Sequence, residues 1–429
     1  MLSFAVAASA PAPAPQAKSL YDQVISNPDP NNGFEDYIRA ADLVNDGFAR
    51  SYYAWQPGTY DRLAANESGM SALDRERLRL AKELDQVGYL GVQTAMETRY
   101  ASALDFVRTG NQKRVWDPRK ATFSMSLPET TVLRNLIELC NAAAYADYAK
   151  GNSKLGTRDL LDGLMLAENL EPLSMIDFHM GLAWEMLLMN RFANCLTSLS
   201  EGDAREVVAF VDRQIANPPA FLSALKLQRD VTIASIDEVV GPRPETKDPT
   251  PSEEFSKRMT PSERQQAKIA IVDGANRRYS ELVQLLSGPE SQWYTQAGDQ
   301  PDLYAPVQSV DDFVRYEVGM FGASGSLATL VRERAQMRLL GLHARVIDYR
   351  WRHNALPRTL KDVASPAQIK DPISDEDFAY EPNADGTYRL YSKGNKQTGT
   401  IELRYKWSRN GGNGQVPPPA EALSIGGRK

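Results

Sequence analysis

The stretch LATLVRERAQMRLLGLHARVIDYRWRHNALP, residues 327–357, decides the fold that the sequence predicts. Its apolar residues recur every three or four positions, which places them on one stripe of a helix. These residues are Val331, Ala335, Leu339, Leu342, Val346 and Tyr349. The helix is expected to end before Pro357, because the residue that precedes a proline is driven out of the α region. The stretch therefore predicts one long amphipathic helix near the C-terminal end of the chain.

A small antiparallel sheet is predicted after this helix. Asp371-Pro372 breaks the chain again, and two β-rich segments, 378–380 and 387–392, flank the turn Asn383-Ala-Asp-Gly386. Asp-Gly between such segments is a strong hairpin signal, since glycine takes a positive φ without strain. A third segment, Ile401 to Trp407, alternates apolar and charged residues, as a strand with one buried face does.

The order of these elements over residues 327–407 resembles the periplasmic part of type II secretion pseudopilins. The residues that carry the resemblance are Tyr349-Arg350, Leu356-Pro357, Leu360, Asp371-Pro372, Tyr380, Leu390-Tyr391-Ser392 and Gly394-Asn395. The resemblance implies a compact α+β unit. Two features depart from it. A pilin carries this unit directly behind an N-terminal membrane helix, and the calcium-binding members have acidic residues where this chain has Asn395-Lys-Gln-Thr-Gly399. Calcium binding is therefore not expected, because Ca²⁺ prefers several carboxylate oxygens. The alternative is a generic hairpin that caps the last helix.

Residues 18–240 predict an α-helical array. Helices are expected over 133–148, 157–170, 174–199, 204–215 and 220–239, separated by Gly-Asn or Gly-Asp turns and by prolines. That order is typical of stacked helical hairpins. An earlier helical segment, 73–107, is expected to kink around Gly88 and Gly91. The segment Ala142–Asn152 is similar to the turn of a tetratricopeptide unit, but the spacing from Gly151 to Gly202 exceeds the period of that family.

The remaining segments complete the predicted organisation. Residues 1–17 are apolar and then rich in Ala and Pro, which indicates either a signal remnant ending at Ala8-Ser-Ala10 or a disordered arm. Residues 241–260 contain four prolines among charged residues and are expected to be an exposed linker or loop. Residues 261–326 continue the helices, with a loop over 288–306. Residues 408–429 are expected to be a disordered tail.

The predicted fold class is mainly α, with stacked helical hairpins and a small C-terminal α+β unit formed by the long helix and an antiparallel sheet. A formal net charge of −6 argues against nucleic acid as a partner, since nucleic-acid binders normally carry a basic surface. No segment approaches the 18 apolar residues of a membrane helix, so no transmembrane span is predicted.

Several residues are candidates for disulfide pairing or for partner contact. Cys140 and Cys195 lie on apolar helical segments, where buried free thiols are common. The alternative, if the protein is exported, is a disulfide between them across adjacent helices. The Met- and aromatic-rich segment 175–192 is expected in the core, or alternatively at an adaptable groove. The arginines of the long helix form either a basic face or simply its solvated side. The candidate partner surface consists of Met180, Trp184, Arg334, Arg338 and Arg345.

No catalytic or metal-binding motif is found. His343 and His353 are ten residues apart and lack the spacing of zinc ligands, and no nucleophile elbow, P-loop or dinucleotide fingerprint occurs. Asp177, His179 and Glu185 form a conceivable acid/base group. A core histidine bonded to a carboxylate of a neighbouring helix is the preferred interpretation of His179. No cofactor is expected.

The sequence thus favours a non-enzymatic, exported helical interaction or scaffold protein of the cell envelope, in the periplasm or otherwise outside the cytoplasm, that binds a protein partner which the sequence does not identify. One alternative is an envelope hydrolase whose carboxylates the sequence does not locate. Another is a component associated with pili or secretion, as the resemblance implies. A pocket with converging acids would favour the hydrolase.

Overall fold

The computed structural model describes residues 18–46, 49, 72–122, 125, 127–217, 220–241, 250–295, 306–319, 324–396 and 398–403. Within these residues the protein is mainly α-helical and contains one two-stranded antiparallel sheet near its C-terminal end, as the sequence predicts. The predicted N-terminal arm, the C-terminal tail and Trp407 lie outside the described residues.

The first described helices are α1 Leu20–Val24, α2 Gly33–Leu43, α3 Ala72–Arg99 and α4 Ala101–Asn111. Helix α2 packs closely against α4, because a Cβ on Gly110 would stand only 2.4 Å from Cε1 of Tyr37. The predicted kink in the long helical segment is confirmed at Gly88, whose φ of 68° lies in the left-handed region and interrupts α3.

The middle of the chain forms a stack of helices: α5 Thr130–Ala149, α6 Ser153–Leu170, α7 Met175–Cys195, α8 Glu201–Ala216, α9 Phe221–Ala234 and α10 Ile236–Val240. Helix α5 packs on α6, and α6 packs on α7. Gly151, with a φ of 82°, makes the turn between α5 and α6. Ser174 and Ser200 accept hydrogen bonds from the first turns of α7 and α8 and so fix where these helices begin. The predicted helical array is confirmed.

The helices that follow are α11 Pro251–Arg258, α12 Pro261–Leu286, α13 Glu290–Thr295 and α14 Val310–Gly319. The expectation of an exposed linker is wrong for residues 250–260, while residues 242–249 lie outside the described part of the chain. Thr250 and Glu253 form a capping box that begins α11, as Thr260 and Glu263 do for α12. Phe255 then packs into a second, smaller core with residues of α10, α12 and α14. The loop expected over 288–306 also contains α13.

The long predicted helix is α15, Ser324–His353, and it ends before Leu356-Pro357 as expected. It packs against α7 and α8 of the array and also contacts the C-terminal sheet. Its apolar residues belong to one continuous core that extends from α1 to Leu403. The boundary predicted at residue 327 therefore does not separate two cores, because α15 is shared by the array and the C-terminal unit.

The C-terminal sheet pairs β1, Ala379–Pro382, with β2, Tyr388–Tyr391. Gly386, with a φ of 80°, lies in the predicted turn between them. Ile401 pairs with Ser392 as a single bridge, and the rest of the predicted third strand lies outside the described residues.

Asp371 is the polar centre of this unit and is almost completely buried. Its carboxylate accepts hydrogen bonds from Ser392 Oγ at 2.7 Å, from Ser374 Oγ at 2.8 Å and from the backbone N–H of Ile373 at 3.0 Å. The Tyr380 hydroxyl donates to the carbonyl of Pro357 at 3.1 Å. Several residues quoted for the resemblance thus contact one another and hold the unit together.

Candidate functional site

The three arginines of the predicted partner surface are largely buried and ion-paired, which leaves little of their side chains for contact with a partner. Only 11% of the Arg334 and Arg338 side chains is exposed, and both bind the carboxylate of Glu290, at 2.5 Å and 2.6 Å. Arg345 binds Asp212 of α8 at 2.5 Å. Helix α15 contacts α8 and α13, which carry the carboxylate partners of these three arginines, and buried cations need such partners.

The other residues predicted to contact a partner also lie inside the molecule. Trp184 is buried, and Met180 packs against the main core. Cys140 and Cys195 are free thiols, so the predicted pairing is not formed. Cys140 faces α6, where a Cβ on Gly163 would stand 3.1 Å from its own Cβ. Cys195 is the last residue of α7.

His179 does not bind a carboxylate, contrary to the sequence interpretation. Its Nδ1 lies 2.6 Å from the carbonyl oxygen of Met175 and can only donate to it, and its Nε2 is hydrogen-bonded to Ser326 Oγ, also at 2.6 Å. His179 is exposed, whereas Ser326 is 1% exposed and out of reach of a substrate. Asp177 binds Ser174 at the start of α7. The conceivable Asp177–His179–Glu185 group is not assembled.

Buried carboxylates do converge elsewhere, around a cavity of about 70 Å³ between α6, α7, α8 and α15 that we call the carboxyl cavity. Glu168, Glu171, Glu185 and Glu333 line it, and the last three are almost completely buried. Glu185 lies next to Glu171 and Glu333, and these three carboxyl groups interact with one another. Carboxylates that meet in a buried space repel one another, which favours their protonated forms.

The electrostatics of the carboxyl cavity agree with protonation. Burial raises the pKa of Glu171 and Glu185 well above the usual range, and repulsion between neighbouring carboxylates raises it further. Burial also raises the pKa of Glu333 to about 7, although the nearby Arg334 guanidinium acts in the opposite direction. Arg334 itself is held by Glu290 and by the carbonyl of Ile215 at 3.1 Å.

The size of the carboxyl cavity limits what it can do. A volume of 70 Å³ holds about two water molecules at roughly 30 Å³ each. Pockets that take small-molecule ligands usually measure about 300–1,000 Å³. The carboxylates that the hydrolase alternative needed are therefore located, but they surround a space too small for a substrate. Among the described residues, no group of His, Cys, Asp and Glu has a metal-binding arrangement.

A larger space of about 350 Å³, the junction cavity, lies where the end of α7, the C-terminal part of α15 and the β1–β2 turn meet. Most of its wall is apolar, with Leu196, Leu199, Val346, Ile347 and Leu403 among its lining residues. The cavity is thus bounded by the helical array on one side and by the C-terminal unit on the other. Its volume falls in the range of ligand pockets.

The polar groups of the junction cavity belong to Thr197, His343, Arg350, Asp385, Thr387 and Tyr388. His343 Nδ1 and the Tyr388 hydroxyl lie 2.9 Å apart in a hydrogen bond, and burial lowers the pKa of His343 to about 4, so the ring is neutral at neutral pH. Asp385 accepts hydrogen bonds from the N–H and the hydroxyl of Thr387, at 2.9 and 2.6 Å. Arg350 lies beside the turn, with Nη2 3.8 Å from the place where a Cβ on Gly386 would stand.

Trp351 lies at the mouth of the junction cavity. About half of its surface, 52%, is exposed, while its indole N–H donates to the carbonyl oxygen of Leu199 at 3.0 Å. This bond links the end of α15 to the segment after α7 and holds the ring in place where it lines the cavity. A large aromatic ring that is half exposed and held in place is typical of residues that contact ligands or partners.

Comparison with family models, with curated proteins and with solved structures found no match for this chain. Within the described residues, no helix combines the length and the apolar character that crossing a membrane requires.

Proposed function

We propose that this chain is a binding protein whose junction cavity takes an apolar group. The observation that carries the proposal is the 350 Å³ space with mainly apolar walls beneath a half-exposed tryptophan. Burying an apolar ligand there would contribute roughly 25 cal/mol for each Å² removed from water. The carboxyl cavity, with a fifth of that volume, gives no comparable support to a hydrolase.

The proposal keeps the expectation of a non-enzymatic helical interaction protein of the cell envelope but changes where contact occurs. The predicted surface on α7 and α15 is buried and ion-paired, so binding moves to the C-terminal end of α15. Export is supported by the composition of residues 1–17 and by the pseudopilin resemblance. The intact mass and compartment of the native protein test it: a mature start between Ala10 and Lys18 outside the cytoplasm is expected, and Met1 retained in the cytosol contradicts it.

The binding proposal is tested by titrating decan-1-ol into the protein in a calorimeter. Saturable binding at one site is expected. Ala193 lines the junction cavity, and the ring of Ala193→Phe would occupy the same space as the ligand. The variant should therefore weaken binding by roughly tenfold or more, which corresponds to about 1.4 kcal/mol.

Ala101→Phe is the matched control, because Ala101 is an exposed residue at the start of α4, far from the cavity in sequence and not part of its lining. It should bind decan-1-ol as the wild type does. Absence of binding to the wild type, or equal binding by Ala193→Phe, contradicts the proposal.

A further inference from the structure

Arg350 differs from four other arginines of α15, which form ion pairs. Arg334 and Arg338 bind Glu290, Arg345 binds Asp212, and Arg352 binds Asp348. Among the described residues, the Arg350 guanidinium forms no ion pair and donates no hydrogen bond, although it lines the junction cavity. Arg332 is also unpaired among these residues but is exposed to solvent, so Arg350 is the arginine of α15 that lines a cavity without an ion pair in the described part of the chain.

The carboxylate nearest in the wall does not take that role. Asp385 lines the same cavity, but it accepts its hydrogen bonds from Thr387 within the β1–β2 turn and forms no ion pair with Arg350. A guanidinium offers five N–H donors in a planar fork that matches a carboxylate with two parallel hydrogen bonds. Since no carboxylate of the described residues pairs with Arg350, a carboxylate of a bound ligand would match its donors.

The rest of the wall defines what this carboxylate is attached to. Leu196, Val346 and Leu403 are buried apolar side chains of the lining, and the His343–Tyr388 pair is internally hydrogen-bonded. Resting on the proposed function, we infer that the ligand is an amphipathic carboxylate. Its head binds Arg350 beside the β1–β2 turn, and its unbranched apolar tail occupies the space between α7, α15 and Leu403.

The test compares decanoate with decan-1-ol at neutral pH, because the two probes share a tail and differ in the charge of the head. The wild type should bind decanoate roughly tenfold or more tightly than the alcohol, as expected for a charge-assisted hydrogen-bonded pair. Arg350→Met should bind both probes with the affinity that the wild type has for decan-1-ol. Arg350→Lys should keep part of the preference, because it keeps the charge but not the fork.

Arg358→Met is the matched control, since Arg358 is exposed, lies after α15 and is absent from the cavity wall. It should leave both affinities unchanged. Equal binding of the two probes by the wild type overturns the carboxylate inference and leaves the proposed function standing, whereas no binding of either probe overturns both. A preference for decanoate that survives in Arg350→Met overturns the role of Arg350. If that variant does not fold, Arg350→Gln decides the same question.

Discussion

The carboxyl cavity and the junction cavity lie against the same helix, α15, and differ in how their charges are compensated. In the first, Glu168, Glu171 and Glu185 meet Glu333, and burial raises the pKa of these carboxyl groups, while Arg334 is held by Glu290. In the second, Arg350 lies in a mainly apolar wall and forms no ion pair within the described residues. A cluster of titratable groups is therefore not in itself a binding site. The volume of the cavity and a charged side chain without an ion pair in the described residues are better indicators of one.

The largest change in stability is expected from a substitution of Glu290, whose carboxylate balances the charges of two buried arginines. Glu290→Ala would leave Arg334 and Arg338 buried without their partner, which should lower the free energy of unfolding by roughly 3–5 kcal/mol. Urea denaturation measures the change. Glu206→Ala, at an exposed position of α8, is the control and should change stability by less than about 0.5 kcal/mol. A loss below 1 kcal/mol for Glu290→Ala would mean that these arginines are better solvated than the structure has them.

A smaller change in stability is expected when the glutamates of the carboxyl cavity titrate with pH. The folded-state pKa of Glu333, about 7, is above the unfolded value of about 4.3, so folding favours its protonated form. The stabilisation is complete below the unfolded pKa and is lost as pH rises through the folded pKa, by roughly 1–3 kcal/mol in total. Denaturation measured at several values from about pH 4 to pH 9 should show this decline. Glu333→Gln, which mimics the protonated group, should make the decline shallower, while Glu171 and Glu185 keep their contribution to it. An unchanged slope in the variant would refute this account.

The smallest change in stability is expected from a substitution of Arg350. Because its guanidinium has no partner among the described residues, Arg350→Met should change the free energy of unfolding by less than about 0.5 kcal/mol. Arg338→Met removes an ion pair with Glu290 and should cost about 2 kcal/mol or more. Thermal melting of the two variants tests whether Arg350, unlike Arg338, contributes nothing to the stability of the fold. Equal losses of stability in the two variants would contradict this difference between the two arginines.

Features decided by neighbouring residues could be predicted from the sequence. Gly88, Gly151 and Gly386 each take the positive φ that their turns require, and α15 ends ahead of Pro357. The wrong prediction of a linker at residues 250–258 also concerns neighbouring residues. The capping pattern Thr250-Pro-Ser-Glu253, which is repeated at Thr260, begins a helix even though prolines are frequent in this segment.

Features decided by distant residues could not be predicted in this way. The burial of Arg345 depends on Asp212, and the contact of His179 depends on Ser326; both pairs are more than a hundred residues apart. Periodicity placed the arginines of α15 on one face but could not indicate that other helices cover that face. The wall of the junction cavity is likewise assembled from segments around residues 193–199, 343–351, 385–388 and 403. The one local hint was a tryptophan next to an arginine at the end of an amphipathic helix.

The sharing of α15 between the array and the C-terminal unit has a consequence for synthesis of the protein. Helices α7 and α8 leave the ribosome well before the helix that covers them, since α8 ends at Ala216 and α15 ends at His353. At roughly 5–20 residues per second, their apolar faces stay uncovered for on the order of ten seconds. During that interval the nascent chain leaves uncovered the side chain of Val211, whose Cγ1 would stand 2.7 Å from a Cβ on Gly341 of α15 in the complete fold. An exposed apolar face of this kind is prone to aggregation during synthesis.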